Sequence, residues 1–338
     1  MAVTIYDIAK KVGTSAATVS MALQGSGRVS DLTRKKIHGA AKKLGYQPNH
    51  LARGLVKGKT KTIGFVFNFS SVELARDISY VELFHYISQT ISAYGYKTFF
   101  HSSVSAMPVK EVLDEVRGYG VDGIILGSSV NDKEDRQALY ESPVSTVVLG
   151  RNIFAKKVSC VLLDDADGAR QVITHLLSNG HRRIAFIGKH SNEAAMRRHD
   201  GYCQSMAVAG LGSDEQLVIE SSFDMEEGKT AARKIIDMKN RPTAVFAAGD
   251  LLAMGIIAEL KDAGIDVPGD ISVVGVDNLP IARLFSPSLT TVDRTCDKYA
   301  QTVVDALMRI IDGQDYGESI VMPVNLIVRQ SSAAVKSK

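Results

Sequence analysis

The sequence predicts an α/β protein in which an N-terminal all-α helix-turn-helix head precedes two doubly wound parallel-sheet lobes. Residues 4–61 hold three short, capped helical segments together with a surplus of positive charge. After them, apolar runs of strand length alternate with amphipathic stretches of helical length, in two successive sets. Such alternation is typical of parallel sheets covered by helices. About 277 residues remain after the head, which matches two lobes of ordinary size.

The first helix is predicted at residues 5–12. Thr4 and Asp7 have the spacing of a capping box, in which the two side chains satisfy amide groups left unpaired at the helix start. Apolar side chains follow at helical spacing, at Ile5, Ile8, Ala9 and Val12. Gly13 supplies the left-handed backbone conformation that a tight exit turn requires.

Two further helices follow, each with a serine cap. Ser15 caps a helix at 16–23 that ends before Gly25, and Ser30 caps a third helix that ends at Gly45. The first two helices and the short Gly-containing turn between them match the helix-turn-helix, whose second helix lies in the major groove of DNA. A plain three-helix bundle with solvated lysines is the alternative.

The charge of the chain is divided unevenly. Residues 1–61 contain twelve Lys and Arg against Asp7 and Asp31, which is a net charge of +10. Because the whole chain carries +3, the remainder carries −7. This asymmetry indicates a polyanionic partner for the first part, and it favours a DNA-reading head over the plain bundle.

The segment at 46–57 is a weak helix with Gly54 inside it, and alone in water it is expected to be largely unfolded. Motifs in and around it are T-I-Y-D-I-A-K-K-V-G-T-S-A-A-T-V-S, G-R-V-S-x-x-T-R and L-G-Y-Q-P-N-x-x-A-R-G-L. Further along the chain come R-P-T-A-V-F-A-A-G-D-L-L-A-M-G and D-I-S-V-V-G-V-D-N. On these motifs, nearly the whole chain resembles the lac-repressor/gal-repressor (LacI/GalR) family of bacterial transcription regulators.

The resemblance implies which residues of the head touch DNA. Ala16, Ala17 and Met21 stand at base-reading positions, and their apolar groups suit thymine methyls better than a bidentate guanine contact. Polar and basic neighbours such as Thr18 and Arg53 would hold phosphates, which sets register and salt dependence. The full set of DNA-contacting positions is Thr4, Tyr6, Ser15, Ala16, Ala17, Thr18, Ser20, Met21, Arg28, Asn49, Ala52, Arg53 and Leu55.

The resemblance also implies a hinge at 49–57. In the family this segment folds into a helix on DNA and pairs with that of the dimer mate in the minor groove. Leu55 matches a leucine that wedges between base pairs, where the cost of unstacking is offset by the bend and the extra contacts that it permits. Gly54 replaces a small polar residue often found there, so this hinge is expected to be less helical off DNA. An ordinary linker leucine is the alternative.

The elements of the two lobes are predicted from their apolar patterns. In the first set, strands at 62–68, 97–101, 121–127 and 145–150 alternate with helices at 81–94, 108–118 and 133–141. The second set is expected to begin near Cys160, with strands at 159–163, 182–188, 217–219, 243–248 and 271–276, and helices at 166–179, 194–209, 226–238 and 251–263.

The resemblance adds a domain plan that periodicity alone does not show. It implies a periplasmic-binding-protein-like clamp in which 292–311 returns to the first lobe before the last strand rejoins the second. The expected divisions are 1–47 for the helix-turn-helix domain, 48–61 for the hinge, 62–161 with 293–322 for one effector-binding subdomain, and 162–292 with 323–338 for the other.

Asp277 is the first candidate for ligand binding. It follows a fully apolar strand, and ligands of open α/β sheets sit outside the carboxyl ends of the strands. A carboxylate there can accept two hydroxyl groups of a sugar-like ligand, although a turn or cap aspartate is the alternative. The resemblance raises the ligand reading, and the effector-binding positions that it implies are Ser79, Tyr80, Arg151, Arg198, Phe223, Asp277 and Arg294.

Three arginines among these positions would favour an anionic ligand such as a sugar acid or sugar phosphate, unless they are ordinary salt-bridge partners. Asp250, directly before an apolar helix, is interpreted first as a helix N-cap. Gly249 stands where some relatives have a ligand-binding Asn.

Enzymatic motifs do not emerge from the sequence. Gly58-Lys59-Thr60 has the ending of a P-loop, yet Arg53 stands where that motif needs Gly. No G-x-S-x-G or paired-histidine metal spacing is present, no G-x-G-x-x-G lies between a predicted strand and a following predicted helix, and Cys160, Cys203 and Cys296 are isolated. We therefore expect no catalytic residue, no metal and no cofactor.

The start of the chain enters a capped helix directly, and no apolar run approaches the roughly 18 residues of a membrane span. We expect no signal peptide and a cytoplasmic location. The sequence thus predicts a regulator, a repressor, that acts as a homodimer on a pseudo-palindromic operator and responds to a sugar-like effector. Two alternatives stay open: a cytosolic carbohydrate-binding or sugar-processing protein, and an architectural DNA binder without an effector.

Overall fold

The computed structural model describes residues 3–23, 25, 27, 29–46, 59–67, 78–102, 107–127, 130, 132–189, 193–212, 214–314 and 317–336, with the backbone alone at 78, 79 and 189. The chain forms two compact units, the head (Met1–Thr60) and the core (Lys61–Lys338).

The described part of the head has three helices, α1 (Ile5–Val12), α2 (Ala16–Leu23) and α3 (Asp31–Leu44). The predicted caps are confirmed by hydrogen bonds from the Thr4 N–H to Asp7 Oδ2 (2.8 Å), the Thr18 N–H to Ser15 Oγ (3.1 Å) and the Thr33 N–H to Ser30 Oγ (3.3 Å). Each helix contributes a fully buried side chain to one small core: Ile8, Val19 and Ile37. The left-handed exits are also confirmed, with φ of 72° at Gly13 and 67° at Gly45.

The first sheet of the core contains β1 (Thr62–Phe67), β2 (Lys97–Ser102), β3 (Gly123–Leu126), β4 (Ser145–Leu149), β5 (Val158–Leu163) and β11 (Ser319–Met322). The strands lie in the order β11-β5-β4-β3-β1-β2, and each described pairing is parallel. Helices α4 (Ile78–Ala93), α5 (Val109–Gly118) and α6 (Lys133–Glu141) lie between the first four strands in the chain.

The second sheet contains β6 (Ile184–Lys189), β7 (Val218–Glu220), β8 (Ala244–Ala247), β9 (Ser272–Asp277), β10 (Thr290–Asp293) and β12 (Asn325–Ile327). Its order is β12-β10-β9-β8-β6-β7, parallel except for β12 against β10. Helices α7 (Asp165–Ser178), α8 (Glu193–Val208), α9 (Met225–Ile236) and α10 (Asp250–Asp262) alternate with these strands in the chain. All four residues of β8 are buried, as expected for a parallel strand covered on both faces.

One strand was assigned to the wrong set. Residues 159–163 were expected to open the second set, but β5 pairs in parallel with β4, with Thr146 opposite Val158, and belongs to the first sheet. The expected division after residue 161 therefore falls inside a strand of the first sheet. An apolar run indicates a buried strand but carries no information about which sheet pairs with it.

The chain passes between the two sheets three times, after β5, after β10 and after β11. Helix α11 (Cys296–Ile311) follows β10 of the second sheet and packs on β3, β4 and β5 of the first. Its Tyr299 hydroxyl donates to the Val161 carbonyl oxygen at 2.8 Å. Because of these three crossings, both sheets belong to one compact unit. Polar residues that follow strands of the two sheets can therefore lie close together.

Two glycines set the distance between α9 and α10. A Cβ atom at Gly255 would lie 2.1 Å from the Met225 carbonyl oxygen, and one at Gly228 would lie 2.4 Å from that of Leu252. Both contacts are with backbone, which does not move aside as a flexible side chain does. The close packing of these helices thus depends on the absence of side chains at both positions.

We predict that Gly255→Ala lowers the free energy of unfolding of the core by about 3 kcal/mol, because the added methyl group overpacks the α9–α10 contact. Urea unfolding followed by far-UV circular dichroism measures the change. The control is Gly39→Ala in α3, where nothing lies within 4 Å of the added Cβ and the site is exposed. That variant is expected to stabilise its helix by about 0.5–1 kcal/mol. Equal stability of Gly255→Ala and the parent would contradict the packing argument.

Candidate functional site

Polar side chains gather where parallel strands of the second sheet end. Asp277 is the last residue of β9 and has a φ of 118°, and Asn278 follows with 55°. Non-glycine residues at such angles are strained, and strain of this kind is concentrated at functional sites. Arg294 follows the neighbouring strand β10 and donates from a terminal nitrogen to Asp277 Oδ1 at 3.0 Å. Two of the predicted ligand contacts therefore lie side by side.

Arg198 is held by a buried ion pair. It lies on α8, is only 4% exposed, and its Nε donates to Asp165 Oδ1 at 2.9 Å. A terminal nitrogen donates to the Ala248 carbonyl oxygen, at the end of β8, at 2.6 Å. Arg197 donates to the other oxygen of Asp165 at 2.7 Å. The pair therefore fixes the starts of α7 and α8 against the carboxyl end of β8.

Arg151 links the two lobes. It follows β4 of the first sheet, and one of its terminal nitrogens donates to Glu193 Oε1 at 2.6 Å and to the Val130 carbonyl oxygen at 2.8 Å. Glu193 begins α8 of the second lobe and also lies 3.9 Å from Arg197. A series of ion pairs thus connects Arg151, after a strand of the first sheet, with the buried pair of Arg198 and Asp165.

The three arginines do not offer free positive charge to a ligand. Arg151 is paired with Glu193, Arg198 with Asp165 and Arg294 with Asp277. The interpretation of an anionic ligand depended on unpaired guanidinium groups, so it no longer follows. Sequence positions alone could not show these pairings, since the partners are between 17 and 42 residues apart.

Phe223 lies beside Asp277, as a ligand-packing aromatic must. A Cβ atom at Gly249 would lie 3.0 Å from the Phe223 ring and 3.6 Å from Asp277 Oδ2. Because Gly249 has no side chain, a space remains next to both the half-buried Phe223 ring and the Asp277 carboxylate. An Asn side chain at this position would fill that space.

Asp250 is not the N-cap of α10, contrary to the interpretation from its position. The cap residue is Gly249, and Asp250 begins the helix with a fully buried side chain. Its two carboxylate oxygens accept from the Leu279 N–H at 2.8 Å and from the Thr291 hydroxyl at 2.6 Å. Burial, together with the nearby Asp277, raises the pKa of Asp250 well above its ordinary value. Asp250 thus holds the loop after β9 against β10.

Tyr80 and Ser79 lie at the start of α4. The half-buried Tyr80 ring packs edge-on against Phe67 of β1, with centroids 5.0 Å apart. The Ser79 side chain lies outside the described part of the chain. Residues 68–77, which precede α4, also lie outside the described part.

A cavity of about 290 Å³ opens beside Asp277, between α4 of the first lobe and the ends of β9 and β10. Its lining residues are Glu82, Tyr86, Asp277, Asn278, Asp293, Thr295, Cys296 and Asp297. Burial, and then the carboxylates of Asp277 and Asp293, raise the pKa of Glu82. The cavity is therefore lined by four carboxylates.

Sequence reasoning missed most of this carboxylate group. Asp293 ends β10, so the rule that pointed to Asp277 could also have found it. Glu82 and Asp297 lie on helices and had no signal, because their approach to Asp277 depends on chain crossings between the lobes.

The base-reading positions of the head that the structure describes are accessible. Ala17 is exposed, Met21 is 38% exposed, and Tyr6 on α1 is 72% exposed. Thr18 and Ser15 share a hydrogen bond of 2.9 Å between their hydroxyl groups. Further positions fall outside the described residues, namely Arg28, Asn49, Ala52, Arg53 and Leu55. Of the remaining predicted DNA-contacting positions, Thr4, Ala16 and Ser20 lie within the described residues.

Two other kinds of feature are absent from the described residues. No group of three or more His, Cys, Asp or Glu among them has an arrangement that could hold a metal ion. No helix in the part of the chain that the structure describes is long and apolar enough to cross a membrane.

Comparison with protein families gave two matches. The family described as bacterial regulatory proteins, lacI family, matches residues 4–49. The family described as periplasmic binding protein-like domain matches residues 173–332.

Comparison with individual proteins gave similarity over the full length. The HTH-type transcriptional regulator DegA of Bacillus subtilis (strain 168) is 33% identical over 347 residues, covering 100% of both chains. Catabolite control protein A of Priestia megaterium is 30% identical, covering 98% of this chain and 100% of the relative. The lac repressor dimer bound to operator and the anti-inducer ONPF superposes with a TM-score of 0.86 at 26% identity, covering 99% and 100%. The complex of the regulator CelR with cellobiose gives 0.74 at 30% identity, covering 97% and 99%.

We predict that Asp165→Leu destabilises the core by about 3–5 kcal/mol, because it leaves the buried Arg198 without its counter-charge. Thermal and urea unfolding measure this loss. The double variant Asp165→Leu/Arg198→Met is expected to be more stable than the single variant, because the unpaired charge is then gone. Glu226→Gln, which breaks an exposed pair with Lys229, is the control and is expected to change stability by less than about 1 kcal/mol. A double variant no more stable than Asp165→Leu would contradict the role of the charge.

We also predict that Asp250→Asn is tolerated and removes a pH dependence. The native pKa of Asp250 is raised, so ionisation opposes folding at neutral pH, and this penalty is relieved as pH falls through the native pKa toward the unfolded value. Asparagine keeps an acceptor for Leu279 and does not titrate. At pH 7.5 the variant is expected to be more stable than the parent, because it carries no carboxylate that must ionise in the buried site. This difference in stability must shrink as the pH of the thermal unfolding experiment is lowered. A difference that is independent of pH would contradict the raised pKa of Asp250.

Proposed function

Because the chain belongs to the LacI family of bacterial regulatory proteins, we propose that it is a sequence-specific DNA-binding transcription regulator that acts as a repressor. It works as a homodimer on a pseudo-palindromic operator, and a small molecule in the cleft of the core controls its operator affinity. The observation that carries this proposal is the union, in one chain, of a basic helix-turn-helix head with a two-lobed core whose strand ends converge on a cavity.

Two solved relatives support the choice of partners. The lac repressor structure is a dimer on operator DNA, and the CelR structure holds cellobiose. A homodimer supplies two heads, and a two-fold symmetric pair of heads matches a pseudo-palindromic site. A sugar or sugar derivative is the effector class that agrees with cellobiose in CelR.

In the head, net charge supplies most of the affinity and α2 supplies the selectivity. The charge of +10 over residues 1–61 neutralises phosphates, so operator affinity falls steeply as salt rises. The exposed Ala17 and Met21 are apolar and suit thymine methyl groups in the major groove. Thr18, Ser20 and the other polar residues among the predicted DNA-contacting positions contact the DNA phosphates.

We assign residues 48–61 to a hinge that folds as the head docks. Asn49, Ala52 and Arg53 contact DNA beside the wedge residue Leu55, and Gly54 keeps the segment weakly helical in the free protein. The helix-turn-helix domain is 1–47. The two effector subdomains are those of the predicted plan, except that the first keeps the whole of β5, through Leu163.

In the cleft, the Asp277 carboxylate accepts hydrogen bonds from hydroxyl groups of the ligand, and the Phe223 ring packs on one face of the ligand. Arg294 orients Asp277 through their hydrogen bond of 3.0 Å and also lies in ligand reach. Tyr80 and Ser79 approach from the first lobe. Arg198 and Arg151 act at the edge of the cleft, where each is already engaged by a carboxylate.

Control of DNA affinity is a population shift. A ligand that binds one clamp state better than the other raises the share of that state by its differential affinity and by no more. If the preferred state separates the two hinges of the dimer, their coupled folding on DNA is lost. Induction and co-repression follow from the same cycle, and the sign depends on which clamp state lets the hinges meet.

The protein acts without catalysis, in the cytoplasm, and without a cofactor. A sugar-processing enzyme would need a paired acid and base or a phosphate-transfer site in the cleft. Four carboxylates do line the cavity, but the full-length relatives of this chain are transcription regulators, so we assign these carboxylates to ligand binding. An architectural DNA binder without an effector would have no use for the two-lobed core.

We predict tight, site-specific binding to the DNA upstream of the chain's own coding sequence, with a dissociation constant of about 10⁻⁸ M or below. Fluorescence anisotropy at fixed salt, titrated with sugars, amino sugars, sugar acids and sugar phosphates, measures it. Asp277→Asn is expected to keep operator affinity and lose the response to the active compound. Asp237→Asn, at an exposed position after α9, is the matched control and is expected to behave like the parent.

Binding that is weak, indifferent to sequence and unchanged by every compound would contradict the proposal and favour the architectural alternative. A response that survives intact in Asp277→Asn would place the effector elsewhere in the molecule.

A further inference from the structure

The cavity beside Asp277 has an unusual charge for a sugar site. Of the eight described residues that line it, four are carboxylic acids, Glu82, Asp277, Asp293 and Asp297, and none is Lys, Arg or His. They come from three places in the fold: α4 of the first lobe, the ends of β9 and β10, and the start of α11. The negative charge is therefore a property of the assembled cleft rather than of one segment.

Within the described part of the chain, few basic side chains neutralise this charge. Arg294 forms an ion pair with Asp277, which compensates one of the four. The neighbouring Arg198 and Arg151 are committed to Asp165 and Glu193. Among the described residues, Glu82, Asp293 and Asp297 form no ion pair with Lys or Arg.

The surroundings of Glu82 indicate how closely these groups approach. Burial raises the pKa of Glu82, and Asp277 and Asp293 raise it further, against Arg294 and His85. Asp293 Oδ1 accepts from the Asn278 amide at 3.3 Å and from the Thr295 N–H at 3.1 Å. Carboxylates held together in this way attract a positive group and repel an anion.

A second, independent observation concerns Arg294. Its Nε is buried and has no hydrogen-bond partner among the described residues. A buried donor of this kind is costly unless something fills its bond. Arg294 is not among the described residues that line the 290 Å³ cavity; it lines a smaller cavity with Asp165 and Arg198, whereas its ion-pair partner Asp277 lines the larger one. A ligand hydroxyl oxygen that extends past Asp277 toward the smaller cavity would accept from this Nε.

We propose that the effector is a cationic, sugar-like molecule of monosaccharide size whose protonated amine lies among Glu82, Asp293 and Asp297 while its hydroxyl groups meet Asp277 and Arg294. Aminohexoses and aminopolyols have this chemistry. The inference deepens the proposed function and depends on the cleft being the effector site. The size follows from the cavity, whose 290 Å³ lies at the lower end of ordinary ligand pockets, roughly 300–1,000 Å³.

Isothermal titration calorimetry of the full-length protein tests the charge preference on matched scaffolds. Each aminohexose of a panel, glucosamine, galactosamine and mannosamine, is compared with its parent hexose and with the corresponding uronic acid. We expect one aminohexose to bind about tenfold or more tightly than its neutral and anionic counterparts, as a charge-assisted hydrogen bond allows. Equal or tighter binding of a neutral or anionic member, or no binding of any aminohexose, overturns the proposal.

Variants assign the preference to the cavity. Glu82→Gln and Asp297→Asn keep shape and hydrogen bonding but remove charge, and each is expected to lower the preference for the aminohexose by about tenfold with the binding of the parent hexose unchanged. Asp237→Asn is the exposed control. A preference that survives both variants overturns the proposal, and so does saturation of the site by Mg²⁺ or Ca²⁺ in place of the amine.

Operator binding separates this inference from the proposed function. If a neutral or anionic sugar binds and changes operator affinity, the regulator stands and the cationic effector is wrong. If the protein binds no DNA site specifically, the proposed function fails whatever the calorimetry shows.

Discussion

The buried ion pair between Arg198 and Asp165 is the interaction on which the arrangement of the cleft depends. With both side chains about 95% buried, neither charge can be left without the other at tolerable cost. The pair ties the first turn of α7 and the second turn of α8 to the Ala248 carbonyl group directly after β8. Through Arg197 and Glu193 the same series of ion pairs reaches Arg151 of the first lobe. Strand ends from both lobes are thereby held around one opening.

Charge is distributed to suit two different partners. The head carries +10 over its first 61 residues and faces a polyanion, whereas the rest of the chain is acidic. Within the cleft, Arg151, Arg198 and Arg294 each form an ion pair with a carboxylate. Among the described residues of the cavity lining, carboxylates therefore outnumber basic groups. A DNA-binding protein whose ligand site is acidic keeps the two binding reactions apart, since nucleic acid and effector are then attracted to opposite charges.

The sequence predicted most element types because many strands and helices here have a clear apolar period, and three helices have recognisable caps at Thr4, Ser15 and Ser30. Asp277 was predicted as a ligand contact because strand ends of open sheets are known ligand positions, and it lies in the lining of the cavity. Three short strands, β10, β11 and β12, were not predicted from the apolar patterns, and the other errors were in tertiary pairing. The sheet membership of β5, the partners of the three arginines, the hydrogen bonds of Asp250 and the approach of Glu82 depend on contacts between residues distant in the chain. No local pattern records such contacts.

In the proposed mechanism, a ligand in the cleft and an operator on the head are thermodynamically coupled. The complete binding cycle tests this coupling: operator affinity with and without the active ligand, and ligand affinity with and without operator, at one salt concentration. We expect the two ratios to be equal, at about 5–150-fold, because coupling free energies are reciprocal. A ligand that binds the free protein and the operator complex with the same affinity would contradict it.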